Sequence, residues 1–358
     1  MRVLANQIRR NPRLTRSLPR DTLKSKKARG NAMYRRNLLC STLGGAAILA
    51  APGVRAQARW PDRPVRLVIP FAPGSSSDTV ARLVMSKASE MLGQQVVIEN
   101  RAGAGGLIAV QSVLRAPNDG YTYLWGGGTA ITAAVMQPNP GFDWATAFAP
   151  VIVVAEQPAV LCVKTAAPWA DISALLAAAK ASEHGLRYGS GGVGTPAHMA
   201  AAAMLRLIEA KGVHVPYRGA NQAALAVEQG EVDFAFAISN IAVPRAQAGL
   251  VRILLTGGAR RMSMMPEVPT LAETLSGGPV VTSVASIVGA AGIPAEAISR
   301  LHAVVHRVVS NDAALQDMLT RDGGEVSLSD NPGQYAAQWP EEHARLTRLI
   351  ELSGAKVE

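Results

Sequence analysis

Val65-Arg66-Leu67-Val68-Ile69 is a short apolar run closed by Pro70, the pattern of a strand bounded by a turn. Past the turn Pro70–Gly74, the residues Val80, Leu83, Val84, Met91 and Leu92 recur at helical spacing until Gly93 stops them. Val96-Val97-Ile98 predicts a second strand, the glycine-rich Asn100–Gly106 leads into a short helix to about Ala116, and Tyr121–Trp125 predicts a third strand. Strands separated by helical stretches give a β-α-β-α-β unit with a parallel sheet. The alternation then restarts: strand Leu186–Tyr188, loop Gly189–Gly194, a helix to Lys211, strand Val213–Tyr217, a helix to Gln229 and strand Val232–Ala237. A last strand at Ile253–Thr256 precedes helices over Ala295–Ser310, Asp312–Arg321 and Pro332–Ser353. Two similar units in one chain predict an α/β protein of two lobes, with the C-terminal helices packing back on the first.

Charge changes this picture only at the N-terminus. The chain of 358 residues carries a net charge of +10, which taken alone points to nucleic acid or an anionic membrane. Residues 1–58 hold ten Arg, three Lys and one acid, Asp21, leaving 23 basic and 25 acidic residues for the rest. A nearly neutral body excludes nucleic-acid binding driven by bulk charge. The basic segment has its own explanation: paired Arg35-Arg36 precede the apolar run Leu43–Ala51 and the small-residue stop Ala56-Gln57-Ala58. This is the grammar of a cleaved signal peptide, too short for a spanning helix, with cleavage expected after Ala58. Arg-Arg-x-Leu-Leu fits a twin-arginine signal as well as the general secretory route, and Met33 is an alternative start. The expected location is the periplasm. Cys40 leaves with the leader and Cys162 stands alone, so no disulfide framework is expected and the lobes rely on their cores, for which 48% apolar residues suffice.

The candidate chemistry lies where strands hand over to helices. In Pro73-Gly74-Ser75-Ser76-Ser77-Asp78, free backbone N–H groups, the helix dipole and three hydroxyls offer an anion site, with Ser75, Ser76 and Ser77 as contacts. Asp78, three residues past Ser75, reads as the second half of a capping box that stiffens the loop. Gly189-Ser190-Gly191-Gly192-Val193-Gly194 satisfies G-x-G-x-x-G, but the next predicted strand ends Val215-Pro216-Tyr217-Arg218, without the acid that holds a ribose. Ser190, Thr195 and the helix that follows suit a small anion instead, and His198 either touches the ligand or supports the loop. Asn100–Gly106 reads as a tight turn, with Arg101 a candidate for a salt bridge between lobes. His302 and His306, four apart in a helix, have no third ligand and read as a surface pair. There is no nucleophile motif. No cofactor, metal or catalytic residue is predicted.

Trp60–Phe71 followed by Gly74–Asp78 resembles the opening of the Bug-type solute receptors of tripartite tricarboxylate transporters. Val97–Gly106, Asp119-Gly120-Tyr121-Thr122, Tyr188–His198, Val215–Gly219, Gly230–Asp233 and Pro266–Thr270 agree, so the resemblance spans about residues 60–355. It implies a periplasmic-binding-protein-like fold, two Rossmann-like domains with a hinge and a ligand cleft, divided as 59–158 plus 283–358 and 159–282. It implies a monomer that closes on a small organic carboxylate for a separate membrane permease. It carries the site onto Ser75, Ser76, Ser77, Ser190, Thr195 and His198, and onto the turn at Gly127, Gly128 and Thr129. Where many relatives have a polar Asp-Asn pair, this chain has Ala237-Ile238, which makes Ala237 a ligand neighbour and argues against amino acids that pair their ammonium there. A monocarboxylate or aromatic carboxylate is the expectation. The competing readings are a nucleotide-dependent enzyme on Gly189–Gly194 and a ligand sensor for a signalling partner.

Overall fold

The computed structural model describes residues 60–127, 131, 132, 136 and 139–354. The leader, its cleavage site and Cys40 lie outside the described residues, as do Gly128 and Thr129.

The first lobe opens with β1 (Val65–Ile69), α1 (Ser76–Leu92), β2 (Val96–Asn100), α2 (Leu107–Leu114) and β3 (Thr122–Trp125). β1 lies between β2 and β3 and is parallel to both, with Val65 opposite Val96 and Leu67 opposite Tyr123. A strand covered on both faces needs apolar residues at successive positions, and Leu67, Val68 and Ile69 are all buried. α1 starts at its cap Ser75 and ends at Gly93, whose left-handed backbone (φ 70) lets its N–H close on Ser89 O.

β4 (Phe148–Lys164) is long enough to serve two sheets. Its first part pairs antiparallel with β9 (Thr282–Ala290), and its last residues pair with β7 (Phe234–Ile238) and β8 (Val251–Thr256). The second lobe follows: α3 (Ile172–Ala181), β5 (Leu186–Ser190), α4 (Pro196–Leu207), β6 (Gly212–Pro216), α5 (Ala220–Gln229), β7, α6 (Ser239–Gln247), β8 and α7 (Leu271–Thr274). β5 is parallel to β6 and β7. The strand path is β2-β1-β3-β9-β4-β7-β5-β6, so β4 and β9 form the seam between lobes.

The chain closes with α8 (Ala295–Ser310), α9 (Ala313–Thr320), the short β10 (Glu325–Val326) and α10 (Pro332–Ser353). α8 joins α1 on one face of the first sheet, where Leu301 and Val305 pack with Val84, Met85 and Leu67. The expectation that all the C-terminal helices return to the first lobe holds for α8 and α9 but not for α10. Tyr335 and Trp339 pack against Phe148 and Val288 in the first lobe, whereas Leu349 joins Met199, Met204 and Phe234 in the second. Twenty-two residues of helix reach about 33 Å, enough to span both. Arg206 Nη1 donates to Glu351 O at 3.4 Å at the far end.

Candidate ligand-binding site

The loop before α1 is built around a buried carboxylate. Asp78 is 3% exposed; its Oδ2 accepts from Gly74 N and Arg82 Nε, both at 2.9 Å, and its Oδ1 from Asn100 Nδ2 at 2.8 Å. Ser75 Oγ accepts from Asp78 N at 3.3 Å. The predicted capping box is thus half present: the carboxylate reaches back to Gly74 rather than to Ser75. Burial opposes the charge on Asp78, but the hydrogen bonds from Arg82, Gly74 and Asn100 outweigh it and hold its pKa below the usual carboxylate value. Held this way, Ser75, Ser76 and Ser77 face a cavity of about 190 Å³ between the lobes.

The second-lobe loop after β5 turns two of its predicted contacts inward. Ser190 is fully buried, its Oγ 3.0 Å from Gly192 O, 3.2 Å from Gly192 N and 2.7 Å from His214 Nε2. His198 Nδ1 accepts from Gly194 N at 3.1 Å, and its ring stacks on His214 at 3.9 Å and 9°. Both residues lie outside the cavity lining and shape the loop, each accepting from one of its backbone N–H groups. Burial pushes both imidazoles down to about 4, with His214 adding to the effect at His198. Thr195 lines the cavity and caps α4, its Oγ1 donating to Gly192 O at 2.8 Å and accepting from His198 N at 3.3 Å.

The remaining walls carry residues the sequence reading passed over. The loop Arg218–Gln222 brings the N-terminus of α5 to the cavity, its turn fixed by Arg218 N donating to Gln222 Oε1 at 3.0 Å. Ile238 and Ile241 form an apolar side, with Ala159 and Ser283 of the seam strands at the back. Alternation along β7 sends Ala237 away into the core with Val227 and Val243, so Ile238, one residue on, faces the cavity. Asn240 Nδ2 of the second lobe hydrogen-bonds Ser76 Oγ of the first. Gly127 packs against Ser286 and Tyr335 and does not line the cavity.

Two other expectations are corrected. Arg101 pairs with Glu99 at 2.6 Å, two residues away, and not across lobes. His302 is buried, with Nε2 2.8 Å from Ser329 O, because its side of α8 packs on the chain before α10; it is not a surface residue. After β6, Tyr217 and Arg218 stand where a dinucleotide fold needs a ribose-binding acid.

Gly191 sets the spacing of the two second-lobe loops: a Cβ there would lie 2.8 Å from Ala220 N and 3.1 Å from Gly219 C. Backbone cannot yield as a side-chain tip can, so Gly191→Ala should spread the loops at a cost of about 1–3 kcal/mol. Titration calorimetry with the bound ligand should show affinity falling roughly tenfold or more; unchanged affinity would place the ligand elsewhere.

Comparison with known proteins agrees with this architecture. Residues 80–354 match the family described as the tripartite tricarboxylate transporter family receptor, TctC. A protein from the tcbD-tcbE intergenic region of Pseudomonas sp. strain P51 is 34% identical over 273 residues, 75% of this chain and 80% of its own length. MatC from Rhodopseudomonas palustris, solved with bound malate, superposes with a TM-score of 0.74 at 28% identity, covering 82% of this chain and 99% of that one. R. palustris Rpa4515, solved with adipate, superposes with a TM-score of 0.73 at 29% identity, covering 83% and 100%. With the matched region running from within α1 to the end of α10, and the two-lobed α/β fold shared throughout, the chain belongs to the tripartite tricarboxylate transporter receptor family.

Proposed function

We propose that the protein is an exported receptor that closes its lobes on a small organic carboxylate and presents it to the membrane permease of a tripartite transporter. One observation carries the carboxylate: the N-termini of three helices, α1 from the first lobe and α4 and α5 from the second, converge on one cavity, and among the described residues that line it none is acidic. Free N–H groups and dipole ends favour an anion, and Ser75, Ser76, Ser77 and Thr195 add hydroxyl donors. The malate and adipate carried by the two R. palustris proteins are of the same chemical kind. In this reading residues 59–158 with 283–358 form one lobe and 159–282 the other, the leader is removed near Ala58, the receptor works as a monomer in the periplasm, and there is no turnover. Ser190 and His198 act from outside the cavity lining. Among the described residues no helix is long and apolar enough to cross a membrane.

A thermal-shift screen of residues 59–358 against carboxylates, acidic amino acids and nicotinamide dinucleotides tests the reading. A ligand at 100 times its Kd should add about 2.7 kcal/mol. Selective stabilisation by one carboxylate class is expected; stabilisation by dinucleotides alone would replace the receptor with the enzyme reading. Thr195→Ala should weaken the carboxylate by about 1–2 kcal/mol, through the lost cap and hydroxyl.

A further inference from the structure

Ser76 and Asn240 join the two lobes at the point where a helix begins in each. Ser76 is the first residue of α1 and Asn240 the second of α6, and Asn240 Nδ2 donates to Ser76 Oγ. Ser76 lines the cavity, whereas Asn240 lies outside its lining. No side chain caps the start of α6, so its free N–H groups leave a positive end there. The bond therefore draws two positive helix ends together, one from each lobe, beside a cavity suited to an anion.

The two sides of this bond are unequal. Ser76 Oγ accepts from Asn240, and among the described residues no protein group accepts the Ser76 hydrogen, which is left for the cavity. Asn240 Oδ1 is buried with no partner. Bringing the lobes together thus strips water from an amide oxygen that gains nothing in return, and an unpaired buried acceptor costs about as much as a neutral hydrogen bond contributes. Taken alone, the contact is close to balanced. A carboxylate that accepts from Ser76 tips it: with its hydrogen drawn towards a negative charge, the hydroxyl oxygen becomes a stronger acceptor, and the chain of amide, hydroxyl and carboxylate exceeds its two bonds taken singly. We infer that Asn240 couples closure of the lobes to occupancy of the cavity: it holds Ser76 with the hydroxyl hydrogen free for the ligand, and it secures the closed lobes only when an anion takes that hydrogen. Asn240 is a positioning residue, acting on the ligand through Ser76. This rests on the carboxylate reading above and adds which residue of the second lobe registers that the first is filled.

The test is stopped-flow binding and calorimetry on the mature chain, with malate, adipate and benzoate as probes. Asn240→Ala should raise the dissociation rate of the tightest probe about tenfold and leave its association rate within about twofold, because the bond forms after encounter. Asn240→Asp should weaken binding further, since a carboxylate there takes the Ser76 hydrogen for itself and repels the ligand. In a Ser76→Ala background, Asn240→Ala should change affinity less than about twofold. The ligand-free melting temperature of Asn240→Ala should stay within about 2 °C of wild type. Unchanged dissociation in Asn240→Ala, equal losses with and without Ser76, or an Asn240→Asp variant no weaker than Asn240→Ala would overturn the inference and leave the carboxylate reading standing. So would a ligand-free melting temperature that falls as far as the ligand-bound one, since that marks a role in the fold alone. Failure of every probe to bind would sink both readings.

Discussion

Asp78→Ala is expected to lower the unfolding free energy by about 3 kcal/mol and the melting temperature by roughly 5–10 °C. The carboxylate accepts from a backbone N–H, an amide and a guanidinium at once, and it is 3% exposed. Arg82, half exposed, recovers water when its partner goes. Gly74 N and the half-buried Asn100 Nδ2 lose a charged acceptor in a part-buried setting, where such hydrogen bonds are worth about 1.5–3 kcal/mol each. Asn100 Nδ2 keeps its bond to Phe71 O at 3.0 Å, which limits the loss on the β2 side. The effect should reach the ligand, since Ser75, Ser76 and Ser77 owe their positions to this anchor. Chemical denaturation of both proteins checks the magnitude, and a difference under about 1 kcal/mol would mean that water replaces the carboxylate. The pH dependence gives a second reading. With a folded pKa below the unfolded value of 3.8, the carboxylate stabilises the protein fully above that value and loses its effect as pH falls through the lowered one. The gap between wild type and variant should therefore shrink in acid.

Much of the fold was legible because local rules and tertiary structure agree. Ser75 before an apolar period, Gly93 after it, and Thr195-Pro196 at the start of α4 each fix a helix end by capping alone. The seam strands escaped for the opposite reason. β4 is buried on both faces over Val151–Val154 and therefore shows no alternation, and Pro150 and Pro158 read as breaks. In the structure Pro150 falls beside a register shift, and Pro158 lies where β4 changes partners. α6 carries Pro244 in its interior and was missed for a similar reason.

The site was half legible. Sequence shows which loops precede helices, so Ser75, Ser76, Ser77 and Thr195 could be placed near a helix N-terminus. It does not show which way a loop side chain turns, and Ser190 and His198 turn inward to satisfy backbone groups of their own loop. Ala237 and Ile238 differ by one position along a strand, and a period of two makes that the difference between core and cavity. Arg218–Gln222 was visible only as the start of a helix, because its contact with the first two loops depends on Gly191 admitting Ala220 to its side.

The inward turn of His198 makes the receptor acid-sensitive in a range where most carboxylates are still ionised. His198 accepts from Gly194 N through Nδ1, so that nitrogen must be unprotonated, and His214 lies 3.9 Å away with its ring nearly parallel. Tyr188 packs beside the pair, its ring 5.0 Å from His214 and 6.2 Å from His198. A proton on His198 would lose the acceptor and place charge in a buried stack. The folded pKa of about 4 against 6.5 when unfolded means that the unfolded chain binds more protons between those values. Stability is thus complete above about pH 6.5, falls as pH drops towards 4, and levels off below, a loss of about 3 kcal/mol for His198. Asparagine can offer Gly194 N a comparable acceptor without titrating. Urea unfolding of wild type and His198→Asn from pH 7.5 to 4.5 should show a steep fall in the first and a shallower one in the second. Ligand affinity should follow the same curve, because the loop that loses its acceptor is the loop that presents Thr195 and the start of α4 to the cavity. Parallel curves for the two proteins would show that the loop holds its shape without a neutral His198, and that acid lability resides elsewhere.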